Sequence, residues 1–143
     1  MNILMAMRER VIEVAEENGW SVNMTSNDED NFTYEFSKKS PAGQDFSFCA
    51  DMEDNDVSSL IDNIYERYND YDCSSETYIW LDNTGHGKNG APYDMKDLYE
   101  DMEVCEQMML DLHDALSAVD WSEYDDEEYQ HITPFGTKLL SSN

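Results

Sequence analysis

Eight apolar residues in the second half of this chain, Met95, Leu98, Met102, Cys105, Met109, Leu112, Leu116 and Val119, recur at intervals of 3-4-3-4-3-4-3. That spacing calls for a long α-helix, because 3.6 residues per turn brings each of these side chains back to one face. Pro92 suits the first turn of such a helix, where a missing N–H costs nothing. The stripe has to be covered. It packs inside the domain, on another helix or a sheet, or it forms a heptad seam with a second copy of the chain. The other faces of the same segment are acidic. Residues 94–120 carry Asp94, Asp97, Glu100, Asp101, Glu103, Glu106, Asp111, Asp114 and Asp120, opposed only by Lys96.

The first half of the chain mixes two periodicities. Ile3, Met7, Val11, Val14 and Asn18 mark one helical face, widened by Leu4, Ile12 and Ala15, and Asn18-Gly19 is a suitable stop. Alternation then takes over. Trp20, Val22 and Met24, then Phe32, Tyr34 and Phe36, then Phe46, Phe48, Ala50 and Met52 read as three half-buried strands. The last two are joined by the turn Ser40-Pro41-Ala42-Gly43-Gln44, and the first helix is placed to cover their shared aromatic face. Asp54-Asn55-Asp56 offers N-caps for a helix whose apolar residues are Val57, Leu60, Ile61, Ile64, Tyr65 and Tyr68. Tyr78-Ile79-Trp80-Leu81 reads by residue type as a short buried strand, with a helical turn as the alternative. Residues 83–90 form a glycine-rich loop.

The predicted fold class is therefore α+β: a three-stranded antiparallel meander packed with about three helices, the last one long and acidic. Residues 1–121 make one domain. Residues 122–143 are an acidic, tyrosine-containing C-terminal extension, ending in a tail where Phe135, Leu139 and Leu140 are available to dock. No internal repeat is present.

Charge limits what such a domain binds. The chain has 33 acids and 8 bases in 143 residues, a formal net charge of −25, with 24 of the acids in residues 51–143. A field of that sign disfavours nucleic acid and anionic membranes as direct ligands and favours a basic protein or a cation. With 40% hydrophobic and 12% aromatic residues, the chain is too apolar for a disordered acidic tail. It is rich in Tyr, Met and Asn, unlike a salt-adapted protein built on Ala and Val. Cys49, Cys73 and Cys105 are odd in number and far apart, with no CxxC pair, as expected of thiols in a reducing compartment. The apolar run at Ile3–Met7 is too short for a signal peptide and precedes Arg8 and Arg10, and no stretch reaches transmembrane length. The expected location is the cytoplasm.

Catalytic and metal motifs fail residue by residue. A calcium loop needs Gly at its sixth position and a bidentate Glu at its twelfth. Starting at Asp70 puts Ser75 and Leu81 there, and starting at Asp82 puts Gly87 and Tyr93 there. Low-affinity cation binding at the surface stays open as a third reading. His86, His113 and His131 have no partners at zinc-ligand spacing. The run Gly85-His86-Gly87-Lys88-Asn89-Gly90 lacks the pattern of a phosphate-binding loop and sits in a repelling field. Carboxylate pairs such as Asp97 and Asp101 arise everywhere among so many acids, so they do not specify an acid–base couple. The sequence points to no enzyme, no cofactor and no resident metal.

What remains is the carboxylate array. A helix over residues 94–120 is about 40 Å long at ~1.5 Å per residue, so it displays roughly one carboxylate per 4–5 Å of axis. Duplex DNA displays one phosphate per ~3.4 Å along each strand. A second row, drawn from Asp54, Asp56, Asp62, Glu66, Asp70 and Asp72, supplies the other strand. Like charges three and four residues apart destabilise their own helix, so solubility alone does not call for so many. Two stretches, RERVIEVAEENGW at residues 8–20 and FSKKSPAGQDFSF at residues 36–48, followed by an acidic helix after Gly90-Ala91-Pro92, resemble small acidic proteins of unknown function from phages and conjugative elements of gut bacteria. The resemblance covers about the first 120 residues and implies a mobile-element accessory protein, a setting that includes DNA-mimic inhibitors. The leading expectation is a non-catalytic binder of a basic, nucleic-acid-handling protein, with Asp97, Glu100, Asp101, Glu103, Glu106, Asp111 and Asp114 as phosphate surrogates. The alternative is an interaction module whose acidity is only solvation, dimerising through the long helix.

Overall fold

The structure is a computed structural model and describes residues 3–124. The elements run α1 (Ile3–Glu17), β1 (Ser21–Ser26), β2 (Phe32–Lys39), β3 (Asp45–Met52), α2 (Val57–Asp70), α3 (Cys73–Ile79) and α4 (Met95–Ser117), and end in a 3-10 turn (Trp121–Tyr124). The fold class is α+β, as the sequence predicts. The strands form one antiparallel sheet in the order β1-β2-β3.

Helix α1 stops where its sequence says it should. The Asn18 side-chain amide donates to the Val14 carbonyl at 2.9 Å, and Gly19 takes φ +89°, a conformation that costs glycine no Cβ clash. Trp20 follows into the core and meets Phe36 and Phe48 edge-on, with ring centroids 6.3 and 5.5 Å away.

Register turns alternation into a core. Phe36 pairs with Phe48, Tyr34 with Ala50 and Phe32 with Met52. These residues share one face of the sheet, and Glu35, Ser47 and Cys49 lie exposed on the other. Met7, Val11, Val14 and Ala15 from α1, Val57, Leu60 and Ile64 from α2, and Cys105, Met108, Leu112 and Leu116 from α4 join the inner face in one cluster. All three of these helices therefore cover the same side of the sheet. Full burial of a Leu or Ile side chain stabilises by about 1.5–3 kcal/mol. One polar group has no hydrogen-bond partner among the described residues: the Tyr34 hydroxyl is buried in this core, and burial pushes its pKa upward.

The apolar stripe of α4 is used inside the chain. Leu98, Met102, Cys105, Met109, Leu112 and Leu116 are all buried, so the seam that a homodimer would use is largely occupied by the domain itself. Its two ends differ: Met95 is exposed and Val119 half-buried.

The structure decides a point that the sequence leaves open. Residues 73–79 form a helix, the second of the two readings of the Tyr78 segment, so the described residues hold four α-helices where about three are expected. The cause is local. The Asp72 carboxylate accepts from the Ser74 and Ser75 backbone N–H groups and so caps a helix start, which outweighs the strand-like types of Tyr78 and Ile79. The described residues continue a short way past residue 121. Packing continues through Tyr124, because Trp121 donates its indole N–H to the Leu116 carbonyl at 2.8 Å and both Trp121 and Tyr124 rest on the core. The rest of the expected extension, with Phe135, Leu139 and Leu140, lies outside the described residues.

Candidate functional site

Helical geometry sorts the acids of α4. Asp97, Glu100, Glu103, Asp111 and Asp114 are exposed, Glu106 is half-buried and Asp101 is buried at 5% exposure. Asp101 falls on the inner face because it continues the sequence Leu98, Asp101, Cys105, Met108, Leu112, which is spaced 3-4-3-4 and otherwise apolar. Its carboxylate is fully engaged by the turn between β2 and β3. Oδ2 accepts from Ser40 Oγ at 2.6 Å and from Gln44 Nε2 at 2.5 Å, and Oδ1 accepts from the Ala42 N–H at 3.3 Å. Asp101 is thus no phosphate surrogate. It fastens the β2–β3 turn to α4, which is what a buried carboxylate requires to offset its desolvation.

The outward acids are thinner on the ground without it. From Asp97 to Asp114 the helix rises about 26 Å at ~1.5 Å per residue, which spreads the exposed carboxylates at roughly one per 6 Å. A phosphate strand is denser, at one per ~3.4 Å. The neighbouring helix adds a row at similar pitch: Asp62, Glu66 and Asp70 of α2 are exposed at intervals of four residues. Ring contact between Tyr65 of α2 and His113 of α4, with centroids 5.4 Å apart, sets the two helices side by side. Two other members of the expected second row are spent as helix caps, Asp56 accepting from the Ser58 N–H and Asp72 from Ser74 and Ser75.

Few cations answer these acids. Among the described residues the ion pairs of Arg and Lys are Arg10 with Glu13 and Glu17 and Lys39 with Asp45, and His113 Nδ1 lies 3.0 Å from the Asp114 carboxylate. Asp97, Glu100 and Glu103 take part in none of them. Asp111 accepts a hydrogen bond from the Gln107 amide at 2.9 Å.

Beside this face lies a feature that residue types alone concealed. An open groove of about 510 Å³ runs between α3 and the first half of α4. Its apolar lining is Tyr78, Leu81, Met95 and Tyr99, and Lys96, Glu100 and Glu103 stand on it from α4. Tyr78 is 78% exposed and Met95 54%. The clue available in the sequence was Asp72 followed by Ser74-Ser75-Glu76, an N-cap signature that makes the next turn helical and turns Tyr78 outward. The loop from α3 to α4 is braced. Asp82 accepts from the Thr84 hydroxyl and from the Thr84 and His86 N–H groups, which holds its carboxyl below the ordinary range. Gly87 lies so close to Pro92 that a Cβ there would sit 1.8 Å from the Pro92 carbonyl oxygen.

Among the described residues, no group of three or more His, Cys, Asp or Glu is arranged to hold a metal ion. The residues 70–81 tested as a calcium loop are largely helical, and Asp82 of the other candidate is occupied by its own loop. Burial pushes the Cys73 thiol up to about 11 and the Cys105 thiol up to about 12, so neither is poised as a nucleophile, whereas Cys49 is exposed. No helix among the described residues is long and apolar enough to cross a membrane. Comparison of the chain with protein families, with curated proteins and with solved structures finds no match.

Proposed function

We propose that this chain is a non-catalytic acidic binding protein of a mobile element, acting in the cytoplasm, that engages a basic, nucleic-acid-handling protein through the carboxylate rows of α4 and α2. The observation that carries the reading is the outward row Asp97, Glu100, Glu103, Asp111 and Asp114, whose first three members have no cation within ion-pair distance among the described residues. A domain of this size stays soluble with a net charge of magnitude about 2–8. The chain carries −25, and it holds like charges three apart on α4 and four apart on α2, where they work against helix stability. The rows are sparser than a phosphate strand, so the mimicry is one of field and face and not of atom-for-atom spacing. Asp101 is outside this surface, and Glu106 stands at its edge.

The test is charge reversal. Changing Glu100, Glu103, Asp111 and Asp114 to Lys should abolish capture of basic proteins from extracts of the native host, with folding unchanged by circular dichroism. Capture by the unaltered protein should weaken steeply with salt, because exposed charges are screened over a Debye length of ~8 Å at physiological ionic strength. Equal capture by both proteins would leave the acidity as solvation.

A further inference from the structure

Exposed large apolar side chains occur across the described surface, from Met5 and Met24 to Tyr65 and Val104, and several of them fall on α3 and at the start of α4. Tyr78 and Ile79 of α3, Tyr93 before α4, and Met95 and Tyr99 at its start are exposed at 78%, 60%, 65%, 54% and 38%. Tyr78, Met95 and Tyr99 line the groove of about 510 Å³. An open cleft lined by large apolar side chains with a few polar groups at its rim is a usual form of binding site. Here it directly adjoins the acidic row, since Glu100 and Glu103 belong to both.

We infer that this groove takes the apolar anchor of a basic amphipathic helix from the partner, while that helix lays its cationic side chains along Glu100, Glu103 and the rest of the α4 row. The inference rests on the proposed function and names the chemistry of the segment bound. Charge selects the occupant. Each copy brings Glu100 and Glu103 against a single Lys96, so a contact between two copies joins surfaces of the same net sign, which opposes association. A basic segment meets the same rims with opposite sign. An apolar residue at its centre fills the cleft between α3 and α4, the arrangement of a helix seated in a groove with anchors on one face. Charge then sets the approach and orientation, and the apolar anchor adds affinity that salt does not remove.

Three synthetic peptides separate the contributions: an amphipathic Lys/Leu helix, the same peptide with every Leu changed to Ser, and the same peptide with every Lys changed to Gln. Binding to the full chain is read by calorimetry. The Lys/Leu peptide should bind at least about tenfold tighter than the Lys/Ser peptide, a gap of ~1.4 kcal/mol. In a Tyr78→Ser, Met95→Ser variant that gap should close, with the urea midpoint unmoved because both side chains are exposed. If the unaltered protein binds both cationic peptides alike, the groove inference is overturned and the acidic-face reading stands. If neither cationic peptide binds, both fall. Equally tight binding of the Lys-free peptide, or a dimer in sedimentation that the double variant abolishes, assigns the groove to an uncharged partner or to a second copy and overturns the inference.

Discussion

Replacing Asp101 with Ala should cost this protein about 3 kcal/mol, while replacing its neighbours in the acidic row should cost almost nothing. The figure follows from the contacts. Two side-chain donors, Ser40 Oγ at 2.6 Å and Gln44 Nε2 at 2.5 Å, close on one buried carboxylate, with a longer bond from the Ala42 N–H at 3.3 Å. A hydrogen bond to a charged group contributes about 1.5–3 kcal/mol, so the two short bonds sum to ~3–6 kcal/mol. Relief from burying a charge takes back part of that, which leaves a net loss near the lower bound. Asp101→Asn keeps the shape and one acceptor oxygen but turns an NH₂ toward a donor, so about 1–2 kcal/mol is expected. Glu100→Ala and Glu103→Ala remove exposed side chains and should stay within ~0.5 kcal/mol. Urea unfolding followed by tryptophan fluorescence reads the difference as a shift in midpoint at constant slope. In thermal unfolding a loss of ~3 kcal/mol corresponds to roughly 10 °C for a domain of this size. An Asp101→Ala protein within ~0.5 kcal/mol of the unaltered one, or a Glu103→Ala protein as damaged as Asp101→Ala, would refute the sorting of the row into one inward and several outward carboxylates.

Three further outcomes are expected. Tyr34→Phe removes a buried hydroxyl that has no partner among the described residues, so stability should hold or rise by about 1 kcal/mol; a loss above ~1 kcal/mol in urea unfolding would show that the hydroxyl is bonded after all. In the folded protein at pH 8 only Cys49 should react rapidly with a thiol reagent, and all three thiols should react in denaturant, because burial raises Cys73 to about 11 and Cys105 to about 12. Stability should rise as pH falls from 7 toward ~5, because a folded state of net charge −25 takes up protons to relieve its own repulsion, and then fall below pH ~4. The acid limb has a named cause: Asn31 amide, Ser75 N–H, Thr84 hydroxyl and Ser122 hydroxyl bonds lower the pKa values of Asp28, Asp72, Asp82 and Asp120. Carboxyls lowered in the folded state stabilise it above their unfolded values of ~4 and lose that contribution as pH falls through the folded ones. A melting temperature that drops between pH 7 and 5.5 would contradict the repulsion argument.

The elements that could be read in advance are those in which periodicity and residue type agree. Phe32, Tyr34 and Phe36 alternate and are strand formers, and Val57, Leu60 and Ile64 repeat at helical spacing behind an aspartate cap, so β2 and α2 fall where expected. Tyr78 and Ile79 misled because type and cap disagree. Their side chains suit a buried strand, but Asp72 starts a helix that carries them into solvent. Asp101 misled for the opposite reason. By charge it belongs with Asp97 and Glu100, although its spacing from Leu98 and Cys105 puts it on the buried face. The Asp72 cap signals the helix that turns Tyr78 outward, but the groove itself depends on how α3 and α4 lie together, which no pattern carries. The outward row itself was legible, because a solvent-facing carboxylate is what remains when the apolar face of a helix is filled.

Competition with a duplex tests the central claim most directly. A basic, sequence-nonspecific DNA-binding protein is held on a fluorescein-labelled duplex, and this protein is titrated in while anisotropy is followed. Two variants have identical net charge: one with Glu100, Glu103, Asp111 and Asp114 changed to Lys, and one with the exposed Glu9, Glu16, Glu29 and Glu35, away from α4 and α2, changed to Lys. The account predicts that the unaltered protein and the second variant free the duplex, that the first does not, and that added salt removes the effect. Loss of competition to the same extent in both variants, or competition by all three proteins alike, would contradict it, because binding would then follow total charge and not the face that α4 presents.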